Sequence, residues 1–532
     1  MTHTPDSALP RPEMWRRGTS HMAAGRWREA IAWFSLIAEP EGASDIDRFS
    51  APALLQLSSA CLRLDEYRNA RQHALRAAAI RPLEPAVLQG VVNALSFFNE
   101  PERMASLVDE CATQVALPPV LVDLARVLSS FGMHERAMSL LDRSDAMTQE
   151  NAQARSMRGL VHMFQGRSRS AEIEFRRSLE LEPEAAHVHW FLSQVSQADI
   201  KQAHCEKIRG LLQRELDGST EGYLAYALHN ELHDLRRYDE AWAALERGFR
   251  AKKRSVPYDP ATIEHLFAAL KTLCTPEFVR AGAIGQGHFT PIFIVGMHRS
   301  GTTLLERILG GHSQITDGGE SYDFIAQLRL AADHHSGGVL DLETVRRLAD
   351  ADFAGLGLRY LEAARWRAGN NPFLTEKLPS NFINAGFIAK AIPHAKILHV
   401  TRDAADTCFS NLRTHFSQAA AYSYDQIEVA DYYAEYRELM RHWGSVMPDR
   451  LLEVPYGDLV RSPEAVAREV FAFCGLPFEA GALEVDRVSG SVATASSTLV
   501  RGGIRTDRGA AWKHYERHLQ PLLGRLRQLG LA

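Results

Sequence analysis

The sequence predicts a multidomain fold, with an N-terminal all-α array of repeated helix pairs followed by an α/β domain built on a parallel central sheet. A chain of 532 residues is too long for one core. Apolar residues recur at spacings of three and four through the Ala-, Leu- and Arg-rich first half, which indicates helices. After about residue 285, short apolar runs typical of buried strands are followed by helical patterns. We expect the helical array at 15–255, a helical linker at 256–284 and the α/β domain at 285–528.

The composition is that of an ordinary folded protein, with 45% hydrophobic and 23% charged residues. The formal net charge of −5 provides no global basic field for nucleic acid or an anionic membrane, so we expect any anion site to be local. The six cysteines form no CxxC pair, which argues against a disulfide framework or a zinc ribbon. The N-terminal stretch has no apolar signal-peptide core and no long apolar run follows, so we expect a cytoplasmic protein without a membrane span.

A short pattern recurs along the first half: a turn, an aromatic residue or Met, a charged pair and an alanine. The spacing from Ala137 to Ala171 is 34 residues, the period of the tetratricopeptide repeat, and the spacing from Ala70 to Ala137 is nearly two periods. A proline follows both Ala70 and Ala171 by twelve residues, where it would end a helix. The segment 15–255 therefore resembles degenerate tetratricopeptide repeats, with a generic helical bundle as the alternative. The pattern alanines are Ala30, Ala70, Ala137, Ala171 and Ala241.

Stacked helix pairs of this kind form a concave surface, because each pair buries its apolar face only against the next pair. Such a surface suits a peptide or a partner protein, and it also suits formation of a homodimer. The sequence does not choose between these partners. No nucleic acid is expected.

A candidate phosphate-binding loop, GMHRSGTT, follows the apolar run at 292–295 and opens a helix. The glycines at its two ends allow backbone N–H groups to turn around an anion at the positive end of the helix dipole. The spacing fits G-x-x-x-x-G, but a threonine replaces the lysine that nucleotide triphosphatases carry next. We therefore expect a single 5′-phosphate-type group rather than a magnesium triphosphate, with a plain strand-to-helix turn as the alternative. The candidate ligands are Arg299, Ser300, Gly301, Thr302 and Thr303.

A second motif, KILHVTRDAADTCFSNL, begins about one hundred residues later. A predicted strand at 396–400 ends just before Arg402, and Ser410 lies eight residues further on in a helical stretch. An arginine offers a two-pronged fork to a dianion, and a serine two turns along the helix can face the same way. A surface ion pair between Arg402 and Asp403 would explain this motif alone, but not both motifs.

Together the two motifs resemble those of sulfotransferases that use 3′-phosphoadenosine-5′-phosphosulfate (PAPS), and their pairing with repeats is similar to tetratricopeptide-linked and tyrosylprotein-type members. The resemblance implies a P-loop-like sulfotransferase domain in which the first loop binds the 5′-phosphosulfate. It further implies that Arg402 and Ser410 bind the 3′-phosphate and that Tyr456 lies near the adenine. Ser497 and Arg501 would be ligands from a C-terminal segment, which departs from the usual Arg-Gln-Pro by having two glycines after the arginine.

The resemblance also implies the reacting groups. Glu320 matches the acidic residue that takes the acceptor's proton, with Asp317 as the backup base. Lys377 matches a lysine that contacts the bridge to the transferring sulfate, and its ammonium would stabilise charge there together with Arg299. The alternatives are a solvated loop glutamate at position 320 and a surface ion pair between Glu376 and Lys377.

Other chemistry-bearing residues receive weaker assignments. His298, beside the loop arginine, is expected to shape the backbone. Tyr422 and Tyr424 are candidates for the wall of an acceptor pocket. The histidines of this half lack metal-ligand spacing, so no metal is predicted.

These implications predict a PAPS-dependent sulfotransferase that acts on an acceptor hydroxyl. The repeats suggest a protein or peptide acceptor, with a tyrosine hydroxyl among the candidates, while carbohydrate, lipid and small phenols stay open. One alternative is a P-loop nucleotide kinase or triphosphatase, which the missing loop lysine disfavours. Another is a repeat scaffold with a vestigial transferase domain, which the retained site residues disfavour.

Overall fold

The structure, a computed structural model, describes residues 9–38, 48–148, 150–280, 287–416, 420–485, 504 and 510–531. The chain divides into two compact units. The first unit comprises Met1–Glu150, Tyr322–Gly337 and Arg346–Ala351, and the second comprises Asn151–Ser321, Gly338–Val345 and Asp352–Ala532. Ser497 and Arg501 lie outside the described residues.

The first unit opens with a series of helices in its described part. They are α1 (Arg11–Ala23), α2 (Trp27–Ala38), α3 (Ser50–Arg63), α4 (Tyr67–Ala79), α5 (Pro85–Phe97), α6 (Pro101–Cys111), α7 (Pro118–Ser130) and α8 (His134–Met147). Consecutive helices pack in pairs, with α1 against α2, α3 against α4 and α7 against α8.

The second unit continues the helical series. Its first helices are α9 (Ala152–Phe164), α10 (Ser168–Leu181), α11 (Ala186–Ser193), α12 (Lys201–Leu211), α13 (Gly218–Asp234), α14 (Tyr238–Ser255), α15 (Pro260–Leu273) and α16 (Pro276–Arg280). Here α9 packs against α10, and α13 packs against α11, α12 and α14.

The side chains explain why the helices pair. All five alanines of the sequence pattern have an exposed fraction of 0%, as expected where two helices approach closely. A Cβ on Gly18 would come within 2.8 Å of the Phe34 ring, and a Cβ on Gly159 within 2.5 Å of the Phe175 ring. Each glycine thus leaves room for an aromatic side chain of the next helix. The two glycines occupy equivalent positions in their helix pairs. The predicted helix pairs are therefore present.

In the described part of the second unit, five parallel strands form one sheet: β1 (Thr290–Val295), β2 (Ile315–Thr316), β3 (Phe373–Glu376), β4 (Lys396–Thr401) and β5 (Leu451–Pro455). Their order across the sheet is β2-β3-β1-β4-β5. In the central strand, Ile292 lies opposite Thr375 on one neighbour and Lys396 on the other. Because all strands run the same way, their carboxyl ends share one edge of the sheet.

Helices follow the strands in the described part of the chain. They are α17 (Thr302–Gly310), α18 (Asp323–Ala332), α19 (Leu342–Arg347), α20 (Phe353–Ala368), α21 (Ala385–Ala391), α22 (Ala404–Leu412), α23 (Gln426–Val446), α24 (Tyr456–Arg461), α25 (Pro463–Cys474) and α26 (Gln520–Gln528). Leu305 and Ile308 of α17 pack with Ile294 and Val400 of the sheet in a fully buried cluster. This arrangement fixes the loop between β1 and α17 at the carboxyl edge.

The architecture confirms the predicted fold class, a mostly helical N-terminal region followed by an α/β domain with a parallel central sheet. The boundaries near 255 and 285 stay predictions. None of the helices in the described ranges is long and apolar enough to cross a membrane. All six cysteines are buried and free.

Candidate active site

The carboxyl ends of the five strands bring the candidate residues to one edge of the sheet. The loop 296–301 follows β1, Asp317 follows β2 and Lys377 follows β3. Arg402 follows β4 and Tyr456 follows β5. Open α/β sheets bind their ligands in the crevice at this edge. Residues more than 150 positions apart in the sequence therefore follow strands that end at the same edge of the sheet.

The loop after β1 has an unusual backbone. Arg299 has a φ of 68° and Gly301 a φ of 106°, both in the left-handed region. For a non-glycine residue such as Arg299 this conformation costs on the order of 1–3 kcal/mol. A Cβ on Gly301 would overlap the ring of Tyr456, so only glycine fits there. The Ser300 Oγ is buried without a hydrogen-bond partner in the described structure, which leaves a hydroxyl inside the loop for an oxyanion.

The second motif holds the strained loop in place. Asn411 Nδ2 donates to the carbonyl oxygen of His298 at 2.7 Å, and Arg402 Nη1 donates to that of Arg299 at 3.3 Å. In return, Arg299 Nε donates to the Ser410 Oγ at 3.3 Å. The structure thus brings together the two motifs that the sequence singled out. Asn411 was not predicted, since nothing in the local pattern indicates that its side chain reaches back to the loop.

The positive charges of two other arginines, Arg402 and Arg413, act on Arg299. Burial, followed by the positive charges of Arg413 and Arg402, lowers the pKa of Arg299 to about 10. The Arg402 guanidinium lies 4.9 Å from the centre of the Tyr456 ring and 3.7 Å from Asp406. Several guanidinium groups gathered at one crevice favour a polyanionic ligand.

Arg413 is a residue that the sequence reasoning missed. It lies three positions after Ser410, and side chains at this spacing are neighbours on a helix surface. That periodicity was the available signal. Arg413 is half-buried just beyond the last residue of α22.

The predicted reacting groups also meet. The Lys377 side chain has an exposed fraction of 0%, and its Nζ donates to Glu320 Oε1 at 2.5 Å. The Lys377 backbone N–H donates to the Gly319 carbonyl oxygen at 3.0 Å, which ties the two segments together. Glu376 instead accepts a hydrogen bond from the Tyr360 hydroxyl at 2.9 Å. Glu376 and Lys377 are both buried, so the alternative of a surface ion pair does not apply.

A further buried acid, Glu306 of α17, lies behind the lysine. Its Oε2 is 3.9 Å from Lys377 Nζ. Burial, and after it the negative charge of Asp317, raises the pKa of Glu306 well above its ordinary value. Glu306 therefore holds its proton more strongly than an exposed glutamate does. An acid within the apolar run of TTLLERIL was the signal that sequence reasoning passed over.

The His298 imidazole contacts an aromatic cluster. His298 Nδ1 is hydrogen-bonded to the Tyr422 hydroxyl at 3.0 Å, and Tyr422 stacks on Tyr432 with a centroid distance of 3.7 Å. Burial is the main cause that lowers the pKa of His298 to about 4, so the ring is neutral at physiological pH. Tyr424 points elsewhere, because its hydroxyl donates to the Phe416 carbonyl oxygen at 2.5 Å. Of the two predicted wall tyrosines, Tyr422 thus contacts the loop.

The described C-terminal residues approach the second motif. The Ala510 backbone N–H donates to Asp406 Oδ1 at 2.7 Å. Within the described ranges, no three His, Cys, Asp or Glu side chains are grouped so that they could hold a metal ion.

The sequence of this chain is similar to those of two other proteins. An uncharacterized protein of Aquifex aeolicus (strain VF5) is 30% identical over 68% of this chain and 49% of its own length. The chain thus spans about half the length of that relative. Protein-tyrosine sulfotransferase 1 of Danio rerio is 23% identical over 48% of this chain and 71% of its own length.

Among solved structures, the sulfotransferase domain from the curacin biosynthetic pathway aligns with 46% of this chain and 98% of its own, at 17% identity and a TM-score of 0.32. The model of the sulfotransferase family matches residues 291–480, which carry the loop after β1, the lysine after β3 and the arginine after β4. The segment 291–480 is therefore a sulfotransferase family domain.

Proposed function

We propose that this domain transfers a sulfuryl group from PAPS to an acceptor hydroxyl. The main support for this proposal is that the two motifs are in contact, because Arg299 Nε donates a hydrogen bond to the Ser410 Oγ at 3.3 Å. It joins a loop suited to a phosphosulfate to a cluster of arginines suited to a second phosphate. The match of residues 291–480 to the sulfotransferase family supports the same reaction class.

The donor-binding residues have complementary tasks. The buried Ser300 hydroxyl and the N-terminal amides of α17, beginning at Thr302 and Thr303, would hold the 5′-phosphosulfate. Arg402, Ser410 and Arg413 would hold the 3′-phosphate, while the Tyr456 ring offers a face for the adenine. When bound, PAPS supplies an activated sulfuryl group on a phosphate oxygen.

The proton and the developing charge are handled by a separate pair of residues. The Glu320 side chain is 33% exposed and can reach an acceptor in the crevice. It takes the acceptor's hydroxyl proton at Oε2, because Lys377 occupies Oε1. Lys377 and Arg299 would stabilise the negative charge that sulfuryl transfer leaves on the donor's phosphate oxygen. The fully buried ammonium of Lys377 is effective in this role, because water does not screen it.

We propose a protein or peptide hydroxyl, first of all tyrosine, as the acceptor. The N-terminal helix pairs support a polypeptide partner, since stacked pairs of this kind present a broad binding face. The similarity to a chain named protein-tyrosine sulfotransferase 1 points the same way.

The test incubates the full chain with a radiolabelled PAPS donor and with separate tyrosine peptides, serine peptides, simple phenols and sugars. We expect label on the tyrosine peptides, and no label when the same peptides carry phenylalanine instead. Label on a sugar or a small phenol alone would overturn the acceptor class. Hydrolysis of ATP without sulfuryl transfer to any acceptor would overturn the reaction itself.

A further inference from the structure

We propose that His233, in helix α13 of the helical N-terminal region, positions Arg413 in the donor site, so that this helix completes the nucleotide-binding crevice. The inference rests on the proposed function and deepens it. His233 lies 180 residues before Arg413 in the sequence, and both belong to the second compact unit. His233 is a positioning residue, because it acts on the donor through Arg413.

A continuous chain of hydrogen bonds reaches from the C-terminal segment to the arginine. Arg413 Nη1 donates to His233 Nε2 at 3.2 Å. Because Nε2 accepts, the ring hydrogen of the neutral histidine is on Nδ1, which donates to the Tyr515 hydroxyl at 2.8 Å. The His233 and Tyr515 rings are nearly parallel, at 15°, and Tyr515 is fully buried. This contact fixes both the plane and the tautomer of the imidazole.

The charge state of His233 suits this role. Burial, followed by the positive charges of Arg413 and His514, lowers the pKa of His233 to about 3. The ring is therefore neutral at physiological pH and can accept a hydrogen bond from a guanidinium. An imidazolium at this place would instead repel Arg413.

A second contact holds the same stretch against helix α13. The Tyr226 hydroxyl donates to the carbonyl oxygen of Leu412 at 3.1 Å, and Tyr226 is itself fully buried. Tyr226 and His233 are seven residues apart, which places them on one face of the helix. Helix α13 thus contacts Leu412, the last residue of α22, and Arg413, the residue after it. Through these contacts, the helical region helps to hold Arg413 near Arg299 and Arg402.

The experiment compares two nucleotides on the full chain by titration calorimetry. One is 3′,5′-adenosine bisphosphate, and the other is adenosine 5′-monophosphate, which lacks the 3′-phosphate. We expect His233→Leu to weaken binding of the bisphosphate about tenfold or more, as for loss of a hydrogen bond to a charged group, and to leave the monophosphate unchanged. An unchanged preference of His233→Leu for the bisphosphate would overturn the inference.

His229→Leu is the matched control. His229 is buried one turn earlier on the same helix, and its Nδ1 is hydrogen-bonded to the Ala241 carbonyl oxygen at 2.9 Å. It should lower the melting temperature without changing the ratio of the two affinities. An equal change of that ratio in both histidine variants would show a general packing effect and overturn the inference.

A double-mutant cycle tests whether His233 acts through Arg413. The losses from His233→Leu and Arg413→Gln should be strongly non-additive, because both remove the same hydrogen bond. Additive losses would overturn the inference. If His233→Leu does not fold, His233→Gln and Tyr515→Phe replace it. The glutamine, whose amide oxygen can accept from Arg413, should retain more affinity than the phenylalanine variant, and the reverse order would contradict the proposal.

Measurements on the wild-type chain distinguish failure of the proposed donor site from failure of the role of His233. A wild type that does not prefer the bisphosphate over the monophosphate would overturn the proposed donor site, and this inference with it. A wild type with that preference, combined with an unaltered preference in His233→Leu, would overturn the inference alone.

Discussion

The ammonium of Lys377 lies 2.5 Å from Glu320 Oε1, within the carboxyl edge of the sheet. A fully buried cation therefore contacts the carboxylate that we propose as the proton acceptor. Sulfuryl transfer needs both kinds of group at one point, a proton acceptor for the incoming hydroxyl and a cation for the departing oxygen. The pair gives the account its most specific catalytic prediction.

Glu320→Gln should leave binding of 3′,5′-adenosine bisphosphate within about twofold and lower turnover by about 10²–10⁴-fold. The amide keeps the shape of the side chain and cannot take the acceptor's proton. Calorimetry measures the first quantity and transfer of labelled sulfate the second. Turnover that stays at the wild-type level would remove Glu320 from its role.

Gly301→Ala should abolish detectable binding of the bisphosphate. The added Cβ would overlap the Tyr456 ring, and the φ of 106° disfavours any residue with a side chain. Gly444→Ala is the matched control, because this helical glycine has no atom within 4 Å of the new Cβ. The control should bind normally, and equal affinities in the two variants would contradict the loop geometry.

Glu306 should make the stability of the protein fall as the pH rises. Its pKa is raised by burial first and then by Asp317, with Glu320 adding to the rise and Lys377 opposing it. The folded chain thus retains a proton that the unfolded chain releases above its ordinary pKa of 4.5. By linkage, this contribution to stability is fully present below that value and is lost as the pH rises toward the folded-state pKa.

Glu306→Gln removes the titration and keeps a neutral side chain of similar shape. Its melting temperature relative to wild type should therefore be higher at pH 8 than at pH 5. Thermal unfolding of both proteins at the two pH values checks the sign. A difference that stays constant with pH, or one that reverses, would show that Glu306 is already ionised in the folded chain.

Gly159→Ala should destabilise the helical region by about 1–3 kcal/mol, because its Cβ would press on the Phe175 ring at 2.5 Å. Gly210→Ala in helix α12 is the control, because the new Cβ there has no atom within 4 Å. That change should stabilise by about 0.5–1 kcal/mol through helix propensity. Urea unfolding measures both, and a neutral Gly159→Ala would contradict the close packing of this helix pair.

The sequence could predict the features that depend on the spacing of neighbouring residues, such as strands, loops and helix contacts. The apolar run at 292–295 lies within β1, and Arg402 follows a strand as expected. The pattern alanines, among them Ala171, are fully buried, as expected for small residues at which paired helices approach closely. A motif with fixed spacing shows which nearby residues belong to one strand, loop or helix.

The residues that were missed act over long distances in the sequence. Asn411 reaches a loop 113 positions earlier, and Arg413 reaches a histidine 180 positions earlier. Those contacts depend on how helices and strands pack, which no local periodicity records. The sequence also does not show that α9–α14 belong to the same compact unit as the sheet. The helix pairs along 15–255 follow one pattern, so nothing local distinguishes α9–α14 from the earlier helices.

Titration of the wild-type chain with 3′,5′-adenosine bisphosphate, and separately with magnesium ATP, tests the central claim most directly. The claim is that the loop after β1 and the motif at Arg402 and Ser410 bind opposite ends of one doubly phosphorylated adenosine. We expect that the bisphosphate binds, that Arg402→Ala and Ser410→Ala each weaken its binding, and that magnesium ATP binds far more weakly. Tight binding of magnesium ATP with no binding of the bisphosphate would contradict it.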